Sequence, residues 1–117
     1  LVAGTFTIGG GDHRSWDFHA TDNVRFEYSF TVTEGPPIDV LLMREYGYTD
    51  YTEGAEFAYY IDGSVMDSTG DSIEYGLGGE NIYYLVLDNT AMGEAEPPAD
   101  SDTAEATVEI SAEITTV

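Results

Sequence analysis

Apolar and polar side chains alternate with period two along most of this chain, the pattern of strands with one packed face and one wet face. The clearest run is Val24, Phe26, Tyr28, Phe30 and Val32, interleaved with Arg25, Glu27, Ser29 and Thr31 and stopped by Glu34-Gly35-Pro36-Pro37. Gly4 to Ile8 predicts a short first strand ending at Gly9-Gly10-Gly11. Ser15 to His19 predicts a second, with Trp16 and Phe18 on one face. Ile38 to Met43 is apolar apart from Asp39, and Asn81 to Leu87 is apolar on both sides of its alternation, so both should be covered on two faces. Ser72 to Leu77 is a shorter strand before Gly78-Gly79. The last strand runs from Ala104 to Ile114, with Ala104, Ala106, Val108, Ile110, Ala112 and Ile114 inward and Glu105, Glu109 and Glu113 outward.

Between these strands, Glu45 to Asp71 is irregular and rich in tyrosine, with room for one short helix or strand around Glu56 to Ile61. Ala91 to Thr103 is a loop carrying Pro97-Pro98. Seven or eight strands with Gly/Pro turns and no long helical period predict an all-β domain: a two-sheet antiparallel sandwich with jelly-roll-like connections. The 117 residues fit a single domain over 1–117, and 42% hydrophobic content with 15 aromatic residues (one Trp, nine Tyr, five Phe) is enough for one core.

Charge changes the picture most. There are 23 acidic residues against three arginines (Arg14, Arg25, Arg44) and no lysine, a net charge of −20. In dilute buffer that much like charge repels itself, whereas at molar salt the Debye length shrinks to roughly 3 Å and the repulsion is screened. The composition therefore predicts a domain adapted to high salt. It excludes nucleic acid as a partner, because phosphate contacts need basic side chains. Cysteine is absent, so there is no disulfide, thiolate metal site or thiol nucleophile. No apolar run approaches the roughly 20 residues of a membrane helix. The chain opens on Leu1-Val2-Ala3-Gly4 without an initiator Met, and reads as a mature or excised form from which any targeting segment has gone.

Catalytic kits are missing. His13, Ser15, Asp17 and His19 share one face of a strand, but six extended residues separate the two histidines by roughly 20 Å, too far to share a metal. No Gly-x-Ser-x-Gly elbow is present, and Gly9-Gly10-Gly11 lacks the helix and lysine of a phosphate cradle. Among so many acids a carboxylate pair carries no information. Calcium is the one cofactor the loops suggest. Asp62, Asp67 and Asp71 flank turns, as do Asp88-Asn89, Asp100 and Asp102, but without EF-hand spacing. Tyr46, Tyr48, Tyr51, Tyr59 and Tyr60 crowd one irregular segment. They either cap the open end of the sandwich or form a contact patch for sugar or protein.

Val24 to Val40, ending in Gly35-Pro36-Pro37-Ile38-Asp39-Val40, followed by Tyr83-Tyr84-Leu85-Val86-Leu87-Asp88-Asn89-Thr90, resembles the β-sandwich of emp24/GOLD-type domains. It is similar also to pre-peptidase C-terminal domains and to secreted haloarchaeal proteins of that arrangement. The resemblance spans roughly residues 14–114 and implies a non-catalytic module that binds proteins, carbohydrate or its own kind. It transfers no functional residue, and without the coiled coil and anchor of emp24 proteins it transfers no cargo-receptor role.

The expectation is thus an extracellular structural or adhesive subunit of a halophile's cell surface, partnering other copies of itself or other surface proteins. Its first strand (Leu1, Val2, Ala3, Thr5, Phe6, Ile8), before the triple glycine, would leave its own sheet and complete a neighbour's, building filaments. The alternative is a carbohydrate- or ligand-binding accessory module of a larger secreted protein, using the tyrosine segment.

Overall fold

The structure, a computed structural model, describes residues 1–93 and 104–117. Among the described residues eight strands form two four-stranded antiparallel sheets. They are β1 (Val2–Ile8), β2 (His13–Ala20), β3 (Val24–Glu34), β4 (Ile38–Arg44), β5 (Val65–Ser68), β6 (Gly70–Leu77), β7 (Asn81–Asp88) and β8 (Ala106–Thr116). One sheet runs β1-β8-β3-β6 and the other β2-β7-β4-β5, so successive strands lie in opposite sheets except β4 and β5, and the first and last strands pair at one edge. This is the jelly-roll order, two Greek keys folded face to face.

The core lies between the sheets and is made by the alternation itself. Phe26, Tyr28 and Phe30 of β3 and Val108, Ile110 and Ala112 of β8 meet Ile38, Val40 and Leu42 of β4 and Tyr83, Leu85 and Leu87 of β7. Phe18 stacks on Phe26 at 4.9 Å and on Tyr83 at 5.5 Å, joining the layers. Ile114 shares the inward parity of β8, but at the uncovered end of the strand it is 37% exposed.

A second cluster accounts for the two-sided burial of β4 and β7. Leu41, Met43 and Val86 point away from the sandwich and are covered by Tyr51, with Tyr48, Phe57, Tyr59, Met66, Tyr84 and Met92 around them. The cover is α1 (Glu45–Thr52) and the segment that follows it. The helix therefore lies upstream of the expected position. Residues 56–60 have no regular structure and lead into a single 3-10 turn, Ile61–Gly63. The sequence EYGYTDYT is a weak helix former without a side-chain cap, and packing holds it: Gly47 lets the chain return so closely that a Cβ there would meet the Ala58 carbonyl oxygen at 2.3 Å.

Strand β5 is an addition to the expected set. Its Asp67 takes a positive φ of 47°, and its N–H donates to Asp39 Oδ1 at 2.8 Å, which pins this short edge strand to β4.

Candidate functional site

Three regions matter for function: the β1 edge, the tyrosine-rich cover of the β2-β7-β4-β5 sheet, and the buried polar residues at the end of β7.

β1 pairs within its own domain, in register with β8 over Val2↔Ala112 to Ile8↔Ala106. Only Ile8 is fully buried, while Val2 and Phe6 are partly buried and Ala3, Thr5 and Thr7 face water. Phe6 sits edge-on to Trp16 at 5.2 Å, and the Arg14 guanidinium lies 4.4 Å from the Phe6 ring centroid. The triple glycine after β1 is a tight turn closed by Asp12 N–H donating to the Gly9 carbonyl at 3.0 Å. Gly10 packs so close that a Cβ would approach the Ala104 Cβ to 2.4 Å, and Gly11 has φ +84°.

Asn89 fastens that turn. Its Nδ2 donates to the carbonyls of Ile8 at 3.0 Å and Ala104 at 2.6 Å, tying the end of β1 to the approach to β8. Its backbone carbonyl accepts from Gly11 N–H at 2.8 Å, and its own N–H donates to the Asp12 carbonyl at 3.0 Å. The residue is wholly buried.

The five tyrosines do not form one patch. Tyr51 is 4% exposed and belongs to the second core cluster. Tyr48 stacks on Tyr84 at 4.0 Å, and its hydroxyl meets Ser15 Oγ at 2.9 Å and His13 Nε2 at 3.2 Å. His13 and Ser15 thus converge on a phenol, not on each other, and His19 stands apart beside Glu80 at 3.9 Å. Tyr60 turns to the main core, 5.4 Å from Tyr75. Tyr59 lines a depression of about 540 Å³ with Phe57, Met66 and Met92. Tyr46 alone of the five is mostly exposed, at 56%. It lines a separate depression of about 370 Å³ with His19, Arg44, Glu45, Glu80, Asn81 and Ile82.

Below this cover sit two buried aspartates that face each other across the β4–β7 ladder, Asp39 and Asp88. Asp88 Oδ1 accepts from the Tyr51 hydroxyl and from Thr90 Oγ1 and N–H, while Oδ2 is buried without a hydrogen-bond partner among the described residues. Burial pushes the Tyr51 phenol well above its ordinary value of 10.0, and the bond to Asp88 pushes it further. Burial likewise raises Tyr28, whose hydroxyl donates to the Gly63 carbonyl at 2.7 Å, and the Asp71 charge adds to the rise. A phenol raised in the folded state contributes stability fully present below pH 10 and lost as pH rises beyond it. In an alkaline titration followed by phenolate absorbance, Tyr28 and Tyr51 should therefore ionise only as the domain unfolds, after the exposed tyrosines. Two fewer late-titrating phenols than this would contradict the packing described. Tyr51→Phe should cost about 2 kcal/mol, since Asp88 loses a donor it cannot replace with water.

The calcium candidates are not brought together. Asp62 is exposed in the 3-10 turn, Asp67 on β5 and Asp71 on β6, and Asp100 and Asp102 lie outside the described residues. Among the described residues no three His, Asp or Glu side chains are close enough to hold a metal ion. The buried Asp88-Asn89 pair is what sequence reasoning missed. The signal was present: Asp39 interrupts a wholly apolar run, and Asp88-Asn89-Thr90 ends another.

Among the described residues, no helix is long and apolar enough to cross a membrane. No family model and no curated protein matches the chain. Solved structures do. The pre-peptidase C-terminal domain of a collagenase from Bacillus anthracis superposes with a TM-score of 0.57 at 14% identity, over 96% of this chain and 90% of that one. PliG of Aeromonas hydrophila, a periplasmic inhibitor of g-type lysozyme, gives 0.57 at 10% identity, over 97% and 85%. One is a domain appended to an enzyme and the other an inhibitor of one. At these identities the likeness is one of fold: the chain has the β-sandwich architecture that a pre-peptidase C-terminal domain also has.

Proposed function

We propose that this domain is a non-catalytic structural subunit of the outer surface of a halophilic, archaeal-type cell, whose copies join by exchanging β1. The observation that carries the reading is the character of the four sheet edges. β2 carries Arg14, Asp17 and two histidines, β5 carries Asp67, and β6 carries Asp71 and Glu74, whereas β1 has no ionisable side chain. Edge strands are ordinarily protected by charge, proline, bulges or shortness. Here a seven-residue edge has none of these in a chain of net charge −20. Since β1 places only Ile8 fully in the core, a neighbour's β1 in the same slot would restore every contact, and only the turn at 9–12 would change. Molar salt, by screening the repulsion between acidic subunits, would permit their approach.

Light scattering and negative-stain microscopy in molar NaCl test this on the intact chain and on a chain lacking residues 1–8. Long regular particles from the intact chain, none from the shortened one, and capture of a synthetic 1–8 peptide by the latter are expected. An intact chain that stays monomeric, or a shortened one that assembles equally well, would overturn the reading.

A second reading, binding of carbohydrate by an accessory module of a larger secreted protein, is favoured by one observation. Tyr46 presents its ring to solvent beside polar groups of both kinds, donors and acceptors.

A further inference from the structure

The depression at Tyr46 has a particular chemistry. Tyr46 and Ile82 offer apolar surface, 56% and 37% exposed. The Arg44 guanidinium lies 5.5 Å from the Tyr46 ring centroid, and its Nη2 donates to Asn81 Oδ1. Among the described residues Arg25 is the arginine engaged by a carboxylate, at 2.6 Å from Glu27, so Arg44 keeps donor capacity for a ligand. Glu45 and Glu80 line the same depression, with His19 3.9 Å from Glu80. An aromatic face thus stands among a guanidinium, an amide and two carboxylates.

Resting on the second reading above, we propose that this depression binds a neutral sugar ring, stacked on Tyr46, with its hydroxyls donating to Glu45 and Glu80 and accepting from Arg44. A hydroxyl both donates and accepts, so a polyol uses all three groups at once. Charge selects against the other classes of glycan. A uronate or sulfated sugar would meet two carboxylates and one guanidinium on a body of net charge −20. A planar apolar ligand would leave those groups unpaired. A neutral ligand also suits molar salt, because stacking and hydrogen bonding are screened far less than ion pairing.

The test is calorimetric titration at neutral pH in molar NaCl with neutral β-linked glucose and mannose oligosaccharides and, in parallel, with galacturonate oligomers. Binding of a neutral oligosaccharide is expected, weakened about tenfold or more in Tyr46→Ala and in Arg44→Gln. It should change less than roughly twofold with further NaCl. Tyr46 is on the surface, so the melting temperature of Tyr46→Ala should match that of the parent, separating lost binding from lost folding. Preference for galacturonate would overturn the neutral-sugar assignment and leave the carbohydrate reading standing. Neutral binding indifferent to Tyr46→Ala would overturn this site. Failure of every saccharide tested would overturn both.

Discussion

Moved from molar NaCl to roughly 0.01 M salt, the domain should lose about 20 °C or more of melting temperature, because the Debye length grows to about 30 Å and the acidic surface repels itself. The outer face of the β1-β8-β3-β6 sheet shows where the strain concentrates. Glu27 sits directly opposite Glu113 on one side and Glu74 on the other, three glutamates in one row across adjacent strands. Like charges so placed oppose sheet formation. Arg25, 2.6 Å from Glu27, offsets one of them. The next row, Ala3, Ser111, Ser29 and Ser72, is small and neutral and offers no compensation. Replacing Glu27, Glu74 and Glu113 together by Gln should therefore recover roughly 5 °C in dilute buffer and almost nothing in molar salt. Calorimetric melting across a NaCl series checks both statements. A melting temperature independent of NaCl would mean that the acidity is not an adaptation to salt.

Asn89→Ala should lower stability by about 2–4 kcal/mol, roughly 8–16 °C, through the loss of two buried hydrogen bonds and the stranding of their carbonyls. Asn89→Asp is the sharper variant. It keeps the shape but replaces the amide that donates to Ile8 and Ala104 with an oxygen facing both carbonyls. It should be at least as damaging as Asn89→Ala, whereas a packing role alone would make it nearly silent. Because Asn89 holds the turn that would open during exchange, both variants should also raise the associated fraction in molar NaCl. Reduced stability without any rise in association would separate the staple from the assembly.

What was legible in the sequence followed from periodicity. The alternation of Val24 to Val32 named the inner face of β3 residue by residue, and the unbroken apolar run of Ile38 to Met43 announced a strand covered twice. The cover itself was hidden. EYGYTDYT has no apolar stripe, so α1 exists only because Tyr51 and Gly47 find a surface to bury against. β5, four residues with one at positive φ, carries no pattern that a sequence can show, since its order comes from Asp39. The tyrosines looked alike in sequence because residue type does not report direction. Tyr51 points into the cluster over Val86 while Tyr46, one and a half turns earlier on the same helix, points to solvent. Asp88 and Asn89 flank a turn in the sequence, where acids and amides are usually exposed; their burial makes them structural.

Exchange of β1 is tested most directly by a cross-link, in a chain that has no cysteine of its own. Ala3 and Ser111 lie directly opposite each other on β1 and β8, both exposed, at the spacing a disulfide spans. A doubly substituted Ala3→Cys/Ser111→Cys chain first establishes that the bond can close. An Ala3→Cys chain is then mixed with a Ser111→Cys chain in molar NaCl under mild oxidation. A covalent heterodimer, its yield rising with NaCl and abolished by excess 1–8 peptide, is the predicted result. Closure within the doubly substituted chain, with no heterodimer from the mixture, would keep β1 in its own domain and contradict assembly by strand exchange.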